Sequence, residues 1–198
     1  MARTIAKDHD AKRAMILKAA AGVFAKEGYD RASVAQVAQA CSISKASIYH
    51  YYTSKDDLLF GILDSHLSSL RDAILTLKVE GLAPEEALRA TVRAYLLAYE
   101  GADNEHRVQT SGMAHLSAER QAVLRGHQKA LVAHLSSIIA SLAPEVFAGN
   151  APKLRAATMS VFGMLNWFYM WNGRAGAKAR RDYADTVTTL TARGVGGL

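Results

Sequence analysis

The feature that most constrains this chain is a pair of serines, Ser33 and Ser44, each opening a short helical run, with only Cys41-Ser42-Ile43 between the two runs. A serine at a helix start accepts a backbone N–H that has no intrahelical partner. Gln36 stands three residues after Ser33, where it completes a capping box. Val34, Val37, Ala38 and Cys41 then make one buried stripe. After Ser44, Ile48 and Tyr52 are spaced to face inward, and Lys45, Ala46, Tyr49 and His50 share the outer face. Two short helices joined by so tight a turn, the second polar on its outer side, form a helix-turn-helix.

The rest of the chain is also written in helical periods. Three prolines and the lack of Val/Ile/Thr alternations predict an all-α fold. Residues 10–26 place Ile16, Ala19, Ala20, Val23 and Phe24 on one face, with Gly28 as the stop. Ser54 caps a fourth helix, with Asp57 at the capping-box position, and its apolar stripe runs from Leu58 to Ile74, ending near Lys78. Further helices are expected around Leu88 to Tyr99, over residues 105–116, around Leu124 to Leu142, over residues 154–171 and around Tyr183 to Leu190. Residues 144–152 and 172–177 read as loops. The division expected is residues 1–57, the three-helix unit that holds the helix-turn-helix, and residues 58–198, a larger helical domain.

Composition excludes several classes. One cysteine, Cys41, permits neither an internal disulfide nor a Cys-rich zinc site. Lys12, Arg13 and Lys18 interrupt any signal-peptide core, and residues 161–171 are about half the roughly 20 apolar residues that a membrane span needs. A cytoplasmic protein with no membrane association is therefore expected. His127 and His134, or Asp103 and His106, lack the spacing of known metal motifs, so neither metal nor cofactor is expected. No phosphate loop, nucleophile elbow or carboxylate pair marks an enzyme. The net charge of +6 is uneven: +3 over residues 1–60, −2 over 61–152 and +5 over 153–198. A basic excess favours an anionic partner.

A second helix that enters the major groove must offer polar or small side chains. Lys45 reaches phosphate or guanine, Ala46 and Ser47 allow close approach, and Tyr49 and His50 hydrogen-bond phosphates or base edges. Lys55 sits in the first turn of its helix, where the macrodipole disfavours a cation, and a bound phosphate would satisfy both. Residues 16–63 resemble the DNA-binding domain of the TetR family of bacterial regulators. The likeness is carried by Ile16 to Ala20, Phe24 to Tyr29, Ser33 to Ala38, Ser44 to Tyr52 and Ser54 to Leu59. It implies DNA contacts at Ser33, Val34, Lys45, Ala46, Ser47, Tyr49, His50, Tyr51 and Lys55. Two departures stand out: Ser42 where the turn usually holds Gly, at about 1 kcal/mol if left-handed, and Tyr52 for the usual Phe, whose hydroxyl needs a partner if buried.

The same resemblance implies a homodimer formed through the last two long helices, and a repressor released from a palindromic operator by a small molecule. The stretch Asn166 to Trp171 is similar to one in a branch that answers acyl-CoA. An acyl- or aryl-CoA effector would place its apolar part among Tyr95, Tyr99, Met113, Met164, Trp167 and Phe168. Its phosphates would lie on Arg174, Lys178, Arg180 and Arg181. Two alternatives stay open: another hydrophobic or aromatic effector, and a constitutive architectural DNA-binding protein with no effector at all.

Overall fold

The computed structural model describes the backbone of residues 2–173 and 175–198, and side chains from residue 8 onward within that range. The described residues form ten α-helices: α1 (Ala2–Glu27), α2 (Val34–Ala40), α3 (Lys45–Tyr51), α4 (Lys55–Leu75), α5 (Pro84–Ala98), α6 (Asp103–Gly112), α7 (Ala118–Leu142), α8 (Pro144–Phe147), α9 (Ala151–Trp171) and α10 (Ala177–Gly194). Short 3-10 turns follow α6 and α10, and no strand occurs among the described residues. The chain is all-α.

Helix boundaries depart from the sequence reading in three places. The first helix begins at Ala2, not near residue 10. The fourth ends at Leu75, where Thr76 turns its hydroxyl back to the carbonyl of Asp72. Residues 144–152 are not all loop: Pro144, with φ fixed for a first helical position, starts the single turn of α8, and left-handed Gly149 follows it.

Two compact units are present, and they do not follow a boundary at residue 57. The first holds α1–α3 and α4 as far as Leu67, together with Asn104–Leu124. Val108, Leu116 and Leu124 join its core beside Ile16, Phe24, Val37, Ile48, Leu58, Leu59 and Leu63. Gly112 shows how close this packing is, since a Cβ there would come within 2.9 Å of Leu59 Cδ1. The second unit, Ser68–Asp103 with Arg125–Leu198, is centred on Leu88, Val92, Tyr95, Leu135, Phe162, Leu165, Phe168 and Val187. Its tightest pairing is α5 with α10.

Candidate nucleic-acid interface

The turn between α2 and α3 closes as a Schellman motif. The Ile43 N–H donates to Ala38 O and the Ser42 N–H to Gln39 O, both at 3.0 Å. This closure requires a left-handed residue, and Ser42 takes that conformation with φ 54°. The Gly-type turn therefore survives without Gly. Ser33 caps α2: the Gln36 N–H donates to its hydroxyl at 3.3 Å, and its own N–H donates to Gln36 Oε1 at 2.8 Å. Ser44 caps α3 by accepting the Ser47 N–H at 3.0 Å.

Helix α3 buries Ile48 and is followed by buried Tyr52, while Lys45, Ala46, Tyr49 and His50 are exposed and Ser47 and Tyr51 half-buried. The Lys45 ammonium lies 5.7 Å from the Tyr49 ring centroid, and His50 meets Tyr51 edge-on at 5.3 Å. His9, on the first helix, packs its ring 4.8 Å from that of Tyr51. The exposed face is thus cationic, aromatic and hydrogen-bonding, as groove entry requires. Val34 departs from the expected set: its side chain is buried in the first unit's core, so only its main chain is open to a phosphate.

Lys55 also departs from expectation. Its ammonium donates to the carbonyls of Tyr29 (2.9 Å), Asp30 (3.2 Å) and Ala32 (3.2 Å), and it lies 4.3 Å from the Tyr29 ring centroid. These contacts offset the unfavourable helix dipole, so the position is explained without a phosphate. The neighbouring acids extend the arrangement. Asp56 accepts from the Tyr29 hydroxyl. Burial first, and then this bond, keep that phenol protonated far above its ordinary range. Asp57 accepts the Thr53 N–H (3.1 Å) and hydroxyl (2.9 Å), and pairs with Arg120 of α7. Burial pushes the Asp57 carboxyl upward, but the bonds from Thr53 and Arg120 outweigh it and hold the group below the usual carboxylate range. The His115 ring packs at a tilt against that of Tyr29, centroids 4.6 Å apart, and approaches Asp30 at 3.6 Å. Sequence reading missed Arg120 and His115, because no local spacing announces partners more than sixty residues away.

Tyr52 keeps its hydroxyl buried without a hydrogen bond. Arg13 is the charge beside it, 5.6 Å from the ring centroid. The ring borders a cleft of about 400 Å³, shared with Asp10, Arg13, Leu17 and Phe60. Asp57 and Asp64 also line it, so the extra hydroxyl has polar surroundings. Gly61 makes room for the ring, since a Cβ there would lie 3.1 Å from Tyr52 Cε1.

The proposed effector residues are divided by the structure. Tyr95, Tyr99 and Phe168 are buried in the second unit, and Met164 flanks them. The Tyr95 hydroxyl donates to Leu131 O at 3.3 Å and the Tyr99 hydroxyl to Asn166 Oδ1 at 2.9 Å. Burial pushes both phenols far up. Thr91 and Thr191 add buried hydroxyls with no hydrogen bond. Trp167 is 59% exposed, on the outside of α9, and Met113 belongs to the first unit. Among the described residues, the basic side chains do not form one cluster. Arg180 is only 2% exposed; its guanidinium donates to Ala175 O (2.9 Å) and Leu96 O (3.1 Å) and lies 3.9 Å from Asp103. Lys178 pairs with Asp182 at 2.7 Å, Arg181 is exposed, and Arg174 lies outside the described residues. On α9 and α10, Val187 is buried and Tyr183 stacks on Phe168, while Met159, Trp167, Met170, Trp171 and Leu190 are exposed.

Residues 16–62 match the family described as bacterial regulatory proteins, tetR family, and residues 81–195 match the family described as tetracyclin repressor-like, C-terminal domain. The chain is 34% identical over 87 residues to the HTH-type transcriptional repressor NicS of Pseudomonas putida, covering 44% of this chain and 41% of that protein. It spans 27% of the HTH-type regulator YuxN of Bacillus subtilis at 36% identity, so less than half of either relative is matched. A TetR-family regulator from Bordetella parapertussis superimposes with a TM-score of 0.83 at 28% identity, over 90% of this chain and 93% of that one. The structure of AibR in complex with isovaleryl coenzyme A and operator DNA superimposes with a TM-score of 0.73 at 26% identity, over 91% and 98% of the two chains.

Proposed function

Because this chain belongs to the TetR family of bacterial transcriptional regulators, we propose that it is a homodimeric repressor that reads a palindromic operator through α3 and leaves it when a small molecule binds the second unit. The observation that carries the DNA-reading part is the outward face of α3, with Lys45, Tyr49 and His50 exposed above a fully buried Ile48. Ser33, Ser44 and Ser47 set the caps that aim that face, and Tyr51 is positioned by His9. Selection of duplexes from a random pool tests it. A near-palindrome with half-sites about one helical turn apart is the expected product, and failure to select any sequence would overturn the reading.

The effector proposed is an acyl- or aryl-CoA thioester. Its support is the likeness to AibR, which was solved with isovaleryl coenzyme A, together with the aromatic interior of Tyr95, Tyr99, Phe162 and Phe168. The same unit buries two hydroxyls without partners, Thr91 on α5 and Thr191 on α10, to which a ligand could bond. Lys178 and Arg181 remain for the phosphates, whereas Arg180 holds the loop before α10 to the end of α5. The effector acts by binding one arrangement of the two subunits better than the other, so that tilting of α4 moves the paired recognition helices off their spacing. Titration calorimetry with CoA thioesters and the matching free acids decides the class. Binding of the acids alone would exclude a thioester effector and leave DNA reading untouched.

A further inference from the structure

The first turn of α4 is held by a residue from outside the helix-turn-helix. Arg120, in the first turn of α7, pairs with Asp57 and lies 5.1 Å from the Phe60 ring centroid. The same Asp57 carboxylate accepts both the N–H and the hydroxyl of Thr53, and Thr53 directly follows Tyr52, the C-cap of α3. One carboxylate therefore ties the end of the recognition helix, the start of α4 and the head of α7. His115 makes a parallel contact to the loop before α2, on Tyr29 and Asp30, and Lys55 fastens the same loop from the other side. The Arg120 side chain is about one-third exposed and its partner Asp57 less so, so the pair is partly shielded from salt.

We propose that Arg120 is a positioning residue for operator binding: through Asp57 and Thr53 it fixes the orientation in which α3 is presented to the major groove. This rests on the DNA-reading role proposed above. Arg120 acts on the protein side and touches no phosphate. Its loss therefore removes discrimination without removing a counterion-releasing contact.

The experiment compares the full-length wild type with Arg120→Met, Arg120→Lys and Asp57→Asn. Anisotropy titrations against the selected operator and a shuffled duplex are run over a range of salt concentrations. Arg120→Met is expected to lower operator affinity about tenfold, the size of one coupled, partly buried pair. Affinity for the shuffled duplex and the slope of log K against log salt stay unchanged, and Arg120→Lys recovers most of the loss. Asp57→Asn should reproduce the loss, and the double variant should be no worse than either single. A salt slope lower by about one unit would make Arg120 a phosphate contact and overturn the proposal. Equal operator affinity in wild type and Arg120→Met, with both folded by circular dichroism, would also overturn it. A wild type that distinguishes no duplex would instead defeat the DNA-reading role. Should Arg120→Met not fold, Arg120→Gln takes its place as the loss variant and Arg120→Lys remains the recovery variant.

Discussion

Single residues show where local chemistry is satisfied and where it is strained. Ser42 holds φ 54° because the Schellman closure demands it. Ser42→Gly should therefore raise the stability of the first unit by about 1 kcal/mol, read as an upward shift in thermal midpoint with the selected operator unchanged. His66 is a second case. Burial, then His106 and Lys18, hold its pKa down to about 4, and its Nε2 has no hydrogen bond. The unfolded chain takes up this proton near pH 6.5, while the folded chain refuses it until about pH 4. The stability is thus fully present above pH 6.5 and is lost as pH falls toward 4, by about 3 kcal/mol at most. Thermal melts between pH 7 and pH 5 should show this fall, and His66→Gln should flatten it. An equally steep fall in the variant would assign the effect elsewhere.

At the scale of elements, the faces of α9 and α10 divide into a core side and an open side. Val187 has no exposed surface, whereas Trp167 and Leu190 are each 59% exposed. The two classes of substitution should separate cleanly. Val187→Asp places an unpaired charge in the core and should cost several kcal/mol of folding stability. If the open side is the face through which the proposed homodimer forms, Leu190→Asp or Trp167→Asp should leave the fold intact and give a monomer in light scattering, with operator affinity falling alongside. A Leu190→Asp protein that remains dimeric would remove the proposed interface. Helix α10 also carries Asp185, which accepts from Arg89 and Arg93 of α5 at 2.8 to 3.1 Å. Despite burial, those two arginines hold its carboxyl below the ordinary range, which accords with α5 and α10 being the tightest pairing of the second unit.

For the molecule as a whole, the two roles proposed above fall to two compact units. The first presents a capped, cation-bearing helix, and the second encloses aromatic rings and buried hydroxyls. No described helix is long and apolar enough to cross a membrane. If the second unit receives the effector, a saturating thioester should raise the thermal midpoint in proportion to the logarithm of its concentration above Kd. It should also release the operator in the same titration. Stabilisation without release would make the molecule bound at that site a ligand but not an inducer.

Much of this was legible in one dimension. Ser33, Gln36 and Ser44 specified their caps, and the spacing of Ile48 to Tyr52 specified which side of α3 turns inward, because caps and periodicity act over at most four or five residues. The helical character of nearly every segment followed from the same short-range rules. Other features depended on partners distant in sequence, and only the tertiary structure decided them. Lys55 is satisfied by the carbonyls of Tyr29, Asp30 and Ala32, so its exposure to phosphate could not be judged from its helix position. Arg180 looked like one of a basic cluster, yet it is buried because Leu96 O and Ala175 O converge on it. Residues 104–124 join the first unit because Val108, Leu116 and Leu124 fill its core. Burial and long-range pairing are properties of the packed chain, and no local window of sequence contains them.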